Sequence, residues 1–220
     1  HKQWSSANRI YVENIETSEM EYWESLLNLN MRTFNESLVH KQPEYNDISE
    51  TEIILTEEIT RGLINDCNKI YNTQIEHLLL TGLSYTLHDE ITNLKENYVM
   101  LECCARDFGN NVDMDRSIGM FRTIYPVRLE LADHDDVRSS IINVKEHLKQ
   151  VPNKGVGFGA IINTQSKEFP LVSFNYLGLL ESESNENDDV DQWVLLDASP
   201  ENTIDESTRE LIKISACIIN

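Results

Sequence analysis

Residues 73–94 carry Ile75, Leu78, Leu79, Leu83 and Leu87 at helical spacing, and Tyr98–Cys103, dense in β-favouring residues, begins four residues later. An apolar stripe this wide has to be buried, so the spacing predicts a helix over 73–94 that backs a sheet, and an interior strand over 98–103. The same alternation recurs along the chain. Ile118–Tyr125 is an apolar segment closed by Pro126, Val127–Leu131 reads as a strand, and Val137, Ile141, Val144 and Leu148 place a helix over 135–150. Strands are then expected over 169–176, ending in Leu177-Gly178, and over 192–196. Upstream, Ser18-Glu19-Met20-Glu21 fits a capping box, and Met20, Trp23 and Leu27 predict a helix over 18–29. Residues 30–46 show no clear periodicity. A short strand over 52–55 should end at Thr56, the N-cap of a helix with Ile59, Leu63, Ile64 and Cys67 on one face. No internal repeat or second domain boundary is visible. The expected fold is α/β, a layered mixed sheet with flanking helices.

Three of the eight glycines fall within five residues, in Pro152-Asn153-Lys154-Gly155-Val156-Gly157-Phe158-Gly159. Alternate glycines permit positive φ and close backbone approach, so something should pass near them. A nucleotide fingerprint needs a strand before the glycines and a helix after. Here a helix precedes them, which leaves a Gly-rich turn or the lip of a channel.

Lys+Arg 18 against Asp+Glu 38 gives a formal net charge of -20. Phosphate backbones and anionic lipid would be repelled, so neither nucleic acid nor a membrane is an expected partner. No apolar run approaches the roughly 18 residues of a membrane span, and the first residues lack a signal-peptide core, so the chain reads as cytoplasmic. Cys67, Cys103, Cys104 and Cys217 do not form metal-ligand spacings, the six histidines are scattered, and no metal is expected. Asn35-Glu36-Ser37 matches a glycosylation acceptor by accident, and the acidic stretch 181–191 reads as a solvated hairpin extension.

Five segments in fixed order carry a resemblance. They are His77–Leu83, Glu102–Asp107, Arg116–Pro126, Pro152–Gly159 and Phe174-Asn175-Tyr176-Leu177-Gly178. In order and spacing the chain resembles the C-terminal half of an epimerization domain of nonribosomal peptide synthetases, in the condensation-domain superfamily. Trp4 and the Tyr22-Trp23 pair resemble the family's bridge from its first half, with 1–16 as that bridge and 1–220 as the C-terminal lobe. The resemblance implies a chloramphenicol-acetyltransferase-like lobe whose cleft partner, the N-terminal lobe with its His-His-x-x-x-Asp motif, lies outside this sequence.

What the resemblance implies for chemistry is inversion at the α-carbon of an aminoacyl or peptidyl thioester, L to D, in antibiotic biosynthesis. No cofactor of its own is implied; the substrate rides on the phosphopantetheine arm of a peptidyl carrier protein, loaded by an adenylation module. A thioester α-proton is acidified but still far from neutral acidity, so a positioned base and stabilisation of the enolate-like oxygen are needed. The glutamate of the family's Glu-Gly-His-Gly-Arg-Glu motif maps onto Glu102, which would serve one face of the carbon, with a histidine of the absent lobe serving the other. Tyr176 resembles the family tyrosine at the reaction site. Asn175, Arg106, Gly155, Gly157, Phe121 and Arg122 are the implied substrate-channel residues.

The chain departs from the family where Cys103, Cys104 and Ala105 replace glycine, histidine and glycine. Added bulk should narrow the site and reduce turnover. The family Gly-Trp-Phe-Thr appears as Gly119-Met120-Phe121-Arg122, which exchanges an aromatic wall for a cation able to meet a pantetheine phosphate, an acidic side chain or solvent. A bland reading pairs Glu102 with Arg106 at a strand end. Two other functions stay open: amide-bond formation of the condensation type, and noncatalytic docking of a carrier protein. An isolated half is expected to be inactive.

Overall fold

The computed structural model describes residues 2–27, 31–39, 49–106, 117–119, 121–133, 136–161, 169–180 and 210–219. Three helices open the chain: α1 (Lys2–Glu13), α2 (Thr17–Leu27) and α3 (Met31–Leu38). Then come α4 (Glu57–Arg61) and α5 (Asn68–Tyr71), joined by a π-helical turn, and α6 (Ile75–Leu87), which runs into a second π-helical turn, His88–Thr92. Strands β1 (Glu96–Cys104) and β2 (Arg122–Glu130), helix α7 (Val137–Gln150), a 3-10 turn Pro152–Gly155 and helix α8 (Phe158–Ile161) follow, then strands β3 (Val172–Leu180) and β4 (Ile212–Ile219).

The four strands form one mixed sheet in the order β2-β1-β3-β4. β1 pairs antiparallel with β2 and parallel with β3, and β3 pairs parallel with β4. β1 is therefore interior, as its composition predicts. Its register sets Leu101 beside Tyr125 and Phe174 on one face, and Glu102 beside Ile124 and Asn175 on the other. The first face is the core: Val99, Leu101, Val127, Leu129, Val172 and Phe174 are all buried on it.

Several local expectations are corrected. Residues 118–125 and 127–131 are not two segments, because β2 runs straight through Pro126, which pairs with Met100. Proline is tolerated there because β2 is the edge of the described sheet, where a missing N–H costs no ladder bond. β3 starts at Val172 and continues past Leu177 to Leu180 through a bulge, where Gly178 takes φ +84. Residues 52–55 form no strand, and Ile53 and Ile54 lie 81% and 84% exposed. Thr56 does cap α4, accepting from the Ile59 N–H at 3.4 Å. Residues 31–38, without clear periodicity in sequence, form α3, because Met31, Phe34 and Asn35 face inward from successive turns. The α2 stripe is Glu19, Trp23 and Leu26, and Met20 is exposed. The expected strand 192–196 and the acidic stretch 181–191 lie outside the described residues.

α6 buries Leu80, Thr81, Ser84 and Leu87 rather than the full leucine stripe. The rotation has a polar cause. Asn97 of β1, fully buried, donates to Leu94 O at 3.1 Å and Ser84 Oγ at 3.3 Å, and accepts from Thr92 Oγ1 at 3.0 Å. A buried amide needs such partners, so the helix turns Ser84 inward together with Leu80 and Leu87 and leaves Leu78, Leu79 and Leu83 half-buried. Asn35 is likewise committed: its amide donates to Phe169 O at 2.8 Å and accepts from the Leu171 N–H at 3.2 Å, which ties α3 to the start of β3. That amide is not presented for glycosylation.

Candidate functional site

Glu102 occupies the third-last position of β1, on the sheet face opposite the core. Its side chain is 11% exposed, and neither neighbouring strand leaves it alone. From β2, Arg122 Nη1 donates to Oε2 at 2.7 Å; from β3, Asn175 Nδ2 donates to the same oxygen at 3.2 Å. Oε1 has no partner among the described residues. Ile124, directly beside Glu102, is half exposed, and Cys104, two residues along the same face, is exposed. The carboxylate thus sits at the rim of an open sheet face, oriented from both sides, with one oxygen available.

Arg106 is not its partner. The Arg106 guanidinium donates to Ser117 O at 2.8 Å and Gly119 O at 2.9 Å, and lies 5.0 Å from the centroid of the Phe121 ring. Phe121 is buried, edge-on to Trp4 at 5.4 Å, and the Trp4 indole donates to Ala105 O at 3.2 Å. Arg106 and Phe121 therefore shape the turn after β1 by packing α1 and residues 117–119 around it.

Tyr176 goes to the other side. It follows Asn175 on β3, so strand alternation sends its side chain to the core face, away from Glu102. There it lies in the field of Glu76, an acidic residue of α6 that also acts on Cys103 and Tyr125. Burial pushes the Glu76 carboxyl and the Cys103 thiol up, and pushes the Tyr125 and Tyr176 phenols up as well. A Cys103 thiol held in its neutral form is a packing group rather than a nucleophile. Its bulk also points away from the face that carries Glu102, so it does not narrow that side. Sequence reading passed over Glu76; the available signal was an acid set in a run of helical leucines.

The glycine cluster has a packing cause. A Cβ on Gly155, which has φ +74, would fall 1.9 Å from Tyr125 Cδ1, and one on Gly157 would fall 2.2 Å from Glu19 Oε1. Glu19 is itself buried, taking hydrogen bonds from Tyr11 Oη, from Trp23 Nε1 at 3.3 Å and from Asn153 Nδ2 at 3.3 Å. Gly155 and Gly157 thus give close approach to the side chains of Tyr125 and Glu19. A polar cleft of about 730 Å³ opens beside them, lined by Tyr11, Glu16, Tyr22 and Asn153 among others. The Tyr22 phenol there is pushed up to about 12, chiefly by burial. Among the described residues no three His, Cys, Asp or Glu side chains gather as metal ligands. All four cysteines are free.

Residues 2–206 match the family described as the condensation domain. The chain belongs to that family. This condensation-family chain is 34% identical over 176 residues to bacitracin synthase 3 of Bacillus licheniformis, covering 77% of itself and 3% of that synthase. It is 30% identical over 198 residues to gramicidin S synthase 1 of Brevibacillus brevis, covering 83% of itself and 18% of the relative. Among solved structures it aligns with the epimerization domain from the third module of tyrocidine synthetase B at a TM-score of 0.67 and 23% identity, over 100% of this chain and 51% of that one. The condensation domain of the monacolin K polyketide synthase aligns at a TM-score of 0.61 and 13% identity, over 82% of this chain and 46% of that one. Identities this low support the fold alone. The family chain spans about half of those solved domains and a small part of the synthases. No helix among the described residues is long and apolar enough to cross a membrane.

Proposed function

We propose that this condensation-family chain forms one wall of an epimerization site, where Glu102 moves the α-proton of an aminoacyl or peptidyl thioester. The observation that carries the reading is the state of the carboxylate: held by two donors on Oε2, unpartnered on Oε1 among the described residues, at the rim of an exposed face. A general base has to be within reach of the proton it takes and has to keep a lone pair free. Oε1 meets the second condition. As the proton leaves, the C–H electron pair moves onto the thioester oxygen as an enolate. Inversion is completed when a proton is delivered to the opposite face by a donor on the wall that faces Glu102, an imidazole in the family this chain resembles. The substrate arrives on the phosphopantetheine arm of a carrier protein, and an adenylation module loads it; the multidomain synthases among the relatives support that setting.

The test is Glu102→Gln in the full-length protein, with the carrier loaded and exchange followed in deuterated water. Loss of a general base costs about 10²- to 10⁴-fold, so α-proton exchange should fall by at least about 100-fold with carrier loading unchanged. Wild-type exchange in that variant overturns the reading. A second reading, amide-bond formation, has in its favour the match to the condensation family itself. New peptide bond without solvent deuterium uptake would select it, and carrier binding with neither activity would select a docking role.

A further inference from the structure

From the geometry we infer that Arg122 is a positioning residue: with Asn175 it holds Glu102 by Oε2, so that Oε1 is the oxygen that exchanges the proton. This rests on the proton-transfer role given to Glu102 above.

The register makes the contact. Arg122 pairs with Cys104 across the β1/β2 ladder, which puts it diagonal to Glu102 on the same face, at a separation long side chains bridge. Asn175 pairs with Glu102 directly across the β1/β3 ladder. The two donors reach the carboxylate from opposite neighbours, so a swing toward one strand breaks the bond to the other. A glutamate has three side-chain torsions to fix, and a charge-assisted bond of 2.7 Å plus an amide bond of 3.2 Å restrict them together.

Both donors sharing one oxygen also suits the chemistry. When the α-proton moves to Oε1, that oxygen becomes the hydroxyl of a carboxylic acid and Oε2 becomes its carbonyl oxygen. Oε2 still accepts from Arg122 and Asn175, so no hydrogen bond has to break during transfer. Had the donors been split between the two oxygens, proton arrival would have cost one of them. Arg122 is 36% exposed against 11% for Glu102, so its charge stays partly in water while the carboxylate is shielded.

The experiment uses the full-length protein and follows α-proton exchange of the carrier-bound thioester in the wild type, R122Q, R122K, E102Q and the double variant E102Q/R122Q. Loss of alignment should lower kcat about 10- to 100-fold in R122Q. KM for the loaded carrier should stay within about twofold, and R122K should recover part of the rate. Because Arg122 acts through Glu102, the double variant should match E102Q alone. Unfolding midpoints verify the fold; if R122Q does not fold, R122K, with a smaller loss, and N175A, with a loss as large, both confined to kcat, carry the test. R122Q within about twofold of wild type while E102Q is inactive overturns the inference and spares the role of Glu102. Exchange surviving in E102Q overturns that role instead.

Discussion

At Gly155 a missing side chain does as much as a present one. Its φ of +74 is a left-handed conformation, and the Tyr125 ring occupies the space a methyl group would need. Gly159 has nothing within 4 Å of its Cβ position. Overpacking costs roughly 1–3 kcal/mol and a left-handed alanine roughly 1–2 more, so Gly155→Ala should lose about 2–5 kcal/mol while Gly159→Ala stays near neutral. Urea unfolding of the two variants side by side measures the difference. The sequence marks these glycines as places of close approach; which groups approach them is not legible, because Tyr125 and Glu19 lie far away in the chain. Glu102 was legible as a carboxylate at a strand end. Its partner was not, since Arg106 is four residues away in sequence and Arg122 twenty, and only the β1/β2 register brings the second one close.

Among the elements, α6 and α7 each hold a half-buried histidine that serves as an acceptor. His77 Nδ1 accepts the backbone N–H of Gln74 at 3.1 Å at the start of α6, and His147 Nε2 of α7 accepts from Arg128 at 2.9 Å. Burial holds both imidazoles below their usual range, with Lys145 adding to the effect on His77 and Arg128 on His147. The His147 contact to Glu130 at 3.5 Å is therefore not an ion pair at neutral pH. Because the folded-state values are depressed, the unfolded chain binds these protons first. Stability from this source is full above the unfolded histidine value, roughly 6.5, and declines as pH falls below it. Denaturant midpoints should drop from pH 7 to pH 5, and His147→Gln should flatten that slope. The strongly periodic elements, α7 and β1, were readable because their apolar spacing alone specifies them. β4 was missed although Ile212, Ile214, Ala216 and Ile218 alternate, and α3 was missed because its three inward residues, one of them the polar Asn35, give too little apolar period to detect.

For the molecule as a whole, the helices and the sheet meet at Trp23. It is fully buried, edge-on to Phe158 at 5.0 Å and to Tyr22 at 4.8 Å, and 6.0 Å from Tyr125. Trp23→Ala removes that hub, at about 3–5 kcal/mol, a large share of the roughly 5–15 kcal/mol that holds a domain folded. A chemical denaturation curve should show a midpoint shift that large, or no folded baseline. The α/β class and a mixed sheet were legible from alternation, while the strand order β2-β1-β3-β4 was not, because it depends on a parallel seam between segments far apart in the chain.

That seam has a consequence for biosynthesis. Glu102 and Asn175 are 73 residues apart, and they meet only where β1 lies against β3. At ribosomal speeds of roughly 5–20 residues per second, the carboxylate emerges about 4–15 s before the amide that will grip it. During that interval the nascent strand holds an acid gripped from the Arg122 side alone, beside a ladder edge still waiting for β3, and it is then that a chaperone would find it.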